Sequence, residues 1–100
     1  MLVYSIYPEP IDEARRGVVA ELISRLNVRM LVGNFEMDPD QGGFRCRTSL
    51  ILNGTPLDDA LLDGLIPPNS VAMDRGVAAL QAVLAGDTID DALSSFPKPT

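Results

Sequence analysis

Residues 30–52 read MLVGNFEMDPDQGGFRCRTSLIL. The two outer runs of this stretch, residues 30–38 and 44–52, are rich in the apolar and aromatic residues that strands favour. Between them stand residues 39–43, PDQGG, which are the residue types that turns select. We therefore predict a β-hairpin over residues 30–52.

The register of this hairpin follows from alternation, because successive strand side chains point to opposite faces. Pairing Phe35 with Cys46 also sets the apolar residues Leu31 and Met37 opposite Leu50 and Phe44. The same alignment places two polar pairs on the other face, Glu36 opposite Arg45 and Asn34 opposite Arg47. Both faces thus favour one register.

The residues before the hairpin predict a strand and a helix. Residues 2–7 are mostly β-branched or aromatic and stop at Pro8, as a strand does before a turn. Residues 12–26 carry apolar side chains at three-and-four spacing, with Asp12 as the helix cap and Asn27 as the stop.

The residues after the hairpin predict helices. Thr55 is the cap of a short helix with Pro56 at its first position, and Pro67-Pro68 end it. A second helix begins at Asn69 or Ser70 and runs through residue 85, and residues 88–93 form a last short helix. The expected order is β-α-β-β-α-α, an α+β fold in a single domain over residues 1–95, with a loose tail at residues 96–100.

Composition and charge limit the partners. The chain is 46% hydrophobic and 22% charged, which is typical of a globular protein. Its formal charge of −6 repels nucleic acid and anionic lipid, so we expect neither as a partner. Cys46 is the only cysteine and cannot form an internal disulfide, and the apolar run at the N-terminus is too short for a signal peptide. We expect a cytoplasmic location.

Side chains suited to catalysis are scarce. The sequence has no histidine, which excludes every Ser-His and Cys-His constellation. Cys46 falls on the apolar face of its strand, where burial makes a thiol inert. We therefore predict no catalytic residue, no cofactor and no metal site. An enzyme that uses carboxylates such as Asp38 and Asp40 with a divalent metal stays the alternative.

Residues 77–85, VAALQAVLA, are apolar on nearly every side apart from Gln81, although a helix on a sheet needs only one apolar stripe. Three explanations stay open. The segment is buried beneath a neighbouring helix of its own domain, forms a symmetric homodimer interface, or lines a groove for a client segment.

Four segments resemble the YbjN family, described as bacterial regulators of sensory transduction. They are residues 33–38 (GNFEMD), 44–50 (FRCRTSL), 71–75 (VAMDR) and 90–93 (DDAL). The resemblance covers about residues 1–93 and corresponds to the later part of the family's domain. It implies an antiparallel sheet with helices on one face in two layers, like type III secretion chaperones, often paired into dimers, with no known catalysis or cofactor. It also implies an uninterrupted helix before Met73. The sequence differs from that family pattern at Pro67-Pro68.

The resemblance has a consequence for the first strand. Members similar to this chain have an earlier helix and hairpin, so residues 2–7 would form an open sheet edge, which recruits another strand. We expect a non-enzymatic protein-binding module, a regulator or chaperone-like adaptor that binds itself as a homodimer, a client segment, or both. A purely structural dimerisation subunit is a further alternative. The expected protein-binding residues lie on the first strand, on the polar face of the hairpin and on the apolar helix: Tyr4, Ile6, Asn34, Glu36, Arg45, Arg47, Val77, Leu80, Val83 and Leu84.

Overall fold

The computed structural model describes residues 1–96, which form an α+β fold. Its strands are β1 (Leu2–Ile6), β2 (Asn34–Met37) and β3 (Phe44–Ser49), and its α-helices are α1 (Arg16–Val28), α2 (Asp59–Leu84) and α3 (Ile89–Ala92). Short 3-10 helices at Glu13–Arg15 and Leu93–Ser95 precede α1 and follow α3. The predicted fold class is confirmed, and the order of elements agrees broadly, except that the two helices predicted on either side of Pro67-Pro68 are one helix.

The described strands form one antiparallel sheet in the order β1-β3-β2. Phe35 pairs with Cys46 and Glu36 with Arg45, so the predicted hairpin register is confirmed. The strands are shorter than predicted, and the expected pairing of Leu31 with Leu50 is wrong. Gly33 has a φ of 82°, which takes the chain out of the extended conformation before β2 begins.

The helices pack on one face of the sheet, so the core is a single layer between helices and strands. From α1 it takes Val19, Leu22 and Leu26, all fully buried. From the sheet it takes Phe35, Phe44 and Cys46, also fully buried, and the Phe35 and Phe44 rings stack with centroids 5.7 Å apart. The residues of α1 that pack in the core thus belong to the apolar stripe predicted for the first helix.

Helix α2 runs uninterrupted through Pro67 and Pro68, so the predicted break is wrong. Each proline lacks the N–H that would bond the carbonyl four residues earlier, on Asp63 and Gly64. Both of those residues are exposed, so water can bond the two carbonyls. Directly beside the prolines, Leu65 and Asn69 are 4% and 1% exposed, and their packing holds the helix on the sheet.

Two predicted helix starts are also corrected. Helix α2 is capped by Asp58, whose carboxylate accepts from Leu61 N at 2.9 Å, and not by Thr55. Asp12 makes no capping bond and precedes a 3-10 turn, so α1 itself starts at Arg16. The predicted cap of the last helix is confirmed, since Thr88 Oγ1 accepts from Asp91 N at 3.1 Å.

Phe96 belongs to the core and not to a loose tail. It is 5% exposed, and its ring meets Phe35 edge-on with centroids 5.8 Å apart. Its carbonyl accepts a hydrogen bond from Arg29 Nη1 at 3.0 Å. The other residues of the predicted tail, 97–100, lie outside the described residues. None of the helices in the range 1–96 combines the length and the apolar content that crossing a bilayer requires.

Candidate functional site: an open sheet face and a free strand edge

One face of the sheet carries no helix among residues 1–96, and we call it the open face. Strand pairing puts Tyr4 beside Arg47 and Ile6 beside Arg45 on this face, with the side chains of β2 continuing the rows. The open face consists of Leu2, Tyr4, Ile6, Asn34, Glu36, Arg45, Arg47 and Ser49. The structure thus brings together six of the ten side chains that the sequence assigned to protein binding.

A small charge cluster occupies the middle of the open face. Arg45 Nε donates to Glu36 Oε1 at 2.9 Å, and Arg47 Nη2 lies 3.6 Å from Glu36 Oε2. The Arg45 guanidinium carbon also lies 4.6 Å from the centroid of the Tyr4 ring, a cation–π contact. Two guanidiniums share one carboxylate, so this patch is locally positive on a chain whose formal charge is −6.

The outer edge of β1 is free within the described range. Met1 and Leu50 exchange two backbone hydrogen bonds, of 2.8 and 3.0 Å, and Tyr7 N donates to Phe44 O at 2.9 Å. Antiparallel ladders alternate, so the odd-numbered residues of β1 bond to β3 and the even-numbered ones point away from it. The N–H and C=O groups of Leu2, Tyr4 and Ile6 therefore face outward, where the sheet has no further strand among residues 1–96.

The outer edge of β2 is covered in part by a side chain. Asp38 N donates to Gly43 O at 3.0 Å, so Asp38, directly after the end of β2, bonds toward β3. Because an antiparallel ladder alternates, the N–H and C=O groups of Phe35, three residues earlier, point away from β3. The Asn27 carboxamide of α1 meets both groups there: Oδ1 accepts from Phe35 N at 2.7 Å and Nδ2 donates to Phe35 O at 3.0 Å. Asn27 thus takes the place of a neighbouring strand at Phe35, one of the two outward-pointing residues of β2, and the edge of β1 has no such side chain among residues 1–96.

A shallow cleft of about 600 Å³ lies at the hairpin end of the open face. Ile6 lines it on the side of β1, Arg45 and Glu36 form part of its floor, and Asp38 lines it at the turn. The cleft continues the free edge of β1 past the end of that strand. It therefore extends the same surface and is not a separate site.

The buried side of the sheet is held to α2 by Asn69. Its Nδ2 lies 3.0 Å from Val3 O and 3.2 Å from Cys46 O, and its Oδ1 accepts a hydrogen bond from Ser5 Oγ. Thr48 Oγ1 lies 3.3 Å from the same Nδ2 and donates to Leu65 O at 3.1 Å. This network joins β1, β3 and α2, and thereby fixes the strand whose other edge is free.

The thiol of Cys46 is a core group. The residue is fully buried, as the sequence predicted. Burial, which is the larger cause, and the negative charge of Glu36 together raise the pKa of the thiol to about 11. Burial keeps the sulfur from solvent and the raised pKa disfavours the thiolate, the form that acts as a nucleophile.

The apolar helix segment is not part of this surface. Leu80 is fully buried and Val83 is 7% exposed, while Val77 and Leu84 pack half-buried against the same core. Of the three explanations for residues 77–85, burial within the domain is the one that the structure shows. Leu80 and Val83 are therefore core residues, whereas the assignment of half-buried Val77 and Leu84 to protein binding stays a prediction.

Two asparagines that matter here were not recognised from the sequence. Asn27 was interpreted only as a helix stop, and Asn69 only as a cap. Asn69 does carry a signal, since it is a polar residue in the apolar stripe formed by Leu65, Ala72 and Met73. Asn27 carries none, because its partner Phe35 becomes adjacent only through the tertiary fold.

Two further observations complete the description of the site. Among residues 1–96, no three or more cysteine, aspartate or glutamate side chains are grouped so that they could hold a metal ion. A scan against models of protein families finds no match for this chain, and searches among curated proteins and among solved structures find none either.

Proposed function

We propose that this chain is a non-enzymatic protein-binding module that accepts an extended protein segment along the free edge of β1. The observation that carries the proposal is the difference between the two sheet edges. Asn27 covers part of the edge of β2, whereas Leu2, Tyr4 and Ile6 of β1 offer outward N–H and C=O groups. Strand addition at such an edge takes its affinity from backbone bonds and its selectivity from alternate side chains.

The side chains beside the edge suggest which segments are preferred. A strand added to β1 places alternate side chains on the open face, against Leu2, Tyr4 and Ile6, which are 55%, 38% and 68% exposed. Arg45 lies over Tyr4 and so reaches toward the edge. The preferred segment therefore alternates apolar residues, and an acidic side chain near Arg45 adds to its affinity without being required.

A binding role agrees with the chemistry of the side chains. Arg45, Arg47 and Glu36 are engaged with one another, and the one thiol is buried with a raised pKa. The proposal includes a cytoplasmic location, supported by a single cysteine that can form no internal disulfide. It also includes the regulatory or chaperone-like adaptor role that the resemblance to the YbjN family implies.

Binding of extended peptides tests this function. A panel of labelled peptides with alternating apolar residues, with and without an acidic flank, is titrated with the chain by fluorescence anisotropy at micromolar concentration. Two matched variants separate backbone from side chain: Tyr4→Ala keeps the outward N–H, and Tyr4→Pro removes it without breaking a bond to β3. We expect peptides that bind the native chain and the alanine variant, and that lose about tenfold or more in affinity with proline.

Two results would contradict the proposal. In the first, the bound peptides have the same affinity for the proline and alanine variants, which would show that they do not bind to the backbone of the β1 edge. In the second, no peptide of the panel binds the native chain. Circular dichroism of both variants checks that the β1–β3 pairing is intact.

A further inference from the structure

We infer that β1 of a second copy of this chain occupies the free edge, with the two Tyr4 residues facing each other across a two-fold axis. The inference rests on the proposed function and names its partner. Two three-stranded sheets would join into one continuous antiparallel sheet through β1. The N–H and C=O groups that face solvent in one copy would then bond to the same groups of the other.

The geometry of the edge selects one register. With Tyr4 opposite Tyr4 of the second copy, Leu2 lies opposite Ile6 of the second copy and Ile6 opposite Leu2. Each of these three residue pairs exchanges two hydrogen bonds, because all of these residues point their backbone groups outward. A shift by two residues leaves only two such pairs. A shift by one sets outward groups against inward ones, so the centred register satisfies the most backbone.

A second copy fits this edge because its strand is already formed. Pairing with β3 holds β1 extended, and the Asn69 network anchors it to α2. A flexible segment must lose conformational entropy when it becomes a strand, whereas β1 of a second copy has already been ordered by folding. If both make the same contacts with the edge, the ordered strand of a second copy therefore binds more tightly than a flexible segment.

The absence of charged side chains in β1, and of residues that protect its edge, also favours a second copy as the occupant. Residues 1–7, MLVYSIY, contain no charged side chain, so the strand itself brings no like charge to the contact, and the Arg45 guanidinium that lies over Tyr4 is engaged by Glu36. Proteins usually guard an open edge with lysine, proline or a covering element. Within β1 no residue is of these types, while the far edge of the same sheet is covered by Asn27. The edge of β1 is the unguarded one.

The side chains of the strand are self-complementary on both faces. On the open face the exposed surfaces of Leu2 and Ile6 meet across the axis, and the two Tyr4 rings lie side by side. On the helix side, half-buried Val3 lies opposite the small Ser5 of the second copy. A contact of five residues from each copy falls below about 1,200 Å², so we expect a dissociation constant of about 1 to 100 µM.

Sedimentation velocity with charge-swapped variants tests the inference. The native chain, of 10.8 kDa, is expected to pass from monomer to dimer between about 1 and 300 µM. Tyr4→Lys or Tyr4→Glu sets like charges opposite each other and should weaken association about tenfold or more. An equimolar mixture of the two sets Lys opposite Glu and should restore the dimer. Ala78→Lys, at an exposed position of α2, is the matched control and should associate as the native chain does.

Each outcome decides the inference. Recovery of the dimer in the mixture supports it, because only the centred register brings the two Tyr4 positions together. A native chain that stays monomeric throughout, or a mixture that stays monomeric while the native chain dimerises, overturns it. If a charged variant fails to fold, as judged by circular dichroism, amide exchange of the native chain decides instead: the Tyr4 amide must slow as concentration rises. A monomer that still binds peptides in a manner sensitive to Tyr4→Pro overturns the dimer and leaves the proposed function standing.

Discussion

The Asn27 carboxamide holds the backbone of Phe35 as a neighbouring strand would, with hydrogen bonds of 2.7 Å from Phe35 N and 3.0 Å to Phe35 O. Helix α1 thereby covers this edge of the sheet at Phe35 through a single side chain. The opposite edge, on β1, lacks such a closure among residues 1–96. This asymmetry is the reason why we propose the edge of β1, and not that of β2, as the binding edge.

Removal of the Asn27 side chain should open the second edge. Asn27→Ala leaves the N–H and C=O of Phe35 without their partner, which should cost about 1 to 3 kcal/mol in the free energy of unfolding. Urea denaturation followed by circular dichroism measures this loss. The exposed edge should also make the variant associate beyond the dimer at high concentration.

The control for that experiment is the neighbouring asparagine. Asn34 Nδ2 lies 3.4 Å from the same Phe35 carbonyl, a long contact, so Asn34→Ala should change stability by less than about 0.5 kcal/mol. Equal losses in the two variants would argue against the closing role of Asn27.

Gly76 should reject a methyl group although it lies within a helix. A Cβ at this position would overlap Cε1 and Cζ of Phe35, whose ring is held between Phe44 and Phe96. Alanine usually stabilises a helix by about 1 kcal/mol over glycine, yet Gly76→Ala should destabilise by about 1 to 3 kcal/mol through overpacking. Thermal unfolding measures the sign.

Gly64→Ala in the same helix is the matched comparison, because a Cβ there meets no atom within 4 Å. It should stabilise the chain by up to about 1 kcal/mol. If Gly76→Ala were stabilising too, the packing of α2 against Phe35 would be different from that described.

The Asn69 network should set how firmly β1 is held. Asn69→Ala removes the acceptor of the Ser5 hydroxyl and the contacts to Val3 and Cys46 carbonyls, within a site that is 1% exposed. We expect a loss of about 1 to 3 kcal/mol, and faster amide exchange in β1 than in β2. Ser5→Ala removes one of these partners and should cost less. A uniform rise in exchange over both strands would contradict a local role.

The raised pKa of Cys46 makes stability depend on alkaline pH. The pKa of the thiol moves from 9.0 to about 11 on folding, mainly through burial. Below pH 9 both states hold the proton and the contribution is fully present; as pH rises from 9 to 11 the unfolded state alone loses it, and stability falls. The total loss approaches about 3 kcal/mol. Cys46→Ala should lack this part of the slope in urea titrations at pH 8 to 11, and identical slopes would refute the assignment.

The sequence could predict those features that local pattern determines. The hairpin register followed from alternation and from the pair Glu36–Arg45, since both lie within a few residues of one turn. Local pattern predicted a break at Pro67 and Pro68, and only the family resemblance implied a continuous helix, because what stabilises it is the packing of Leu65 and Asn69 against a distant sheet. The open face was predicted through Tyr4, Ile6 and the arginines, whereas Leu80 and Val83 were misplaced because their cover comes from other helices.

Amide exchange resolved by residue in the dilute monomer distinguishes a free edge at β1 from the edge of β2 that Asn27 covers at Phe35. The amides of Val3 and Ser5 should exchange slowly through their bonds to β3, and that of Phe35 slowly through Asn27. The amides of Tyr4 and Ile6 should exchange close to the rate of an unprotected chain. Slow exchange of Tyr4 and Ile6 in the monomer, equal to that of Val3 and Ser5, would show that the edge of β1 is already occupied and would contradict the account.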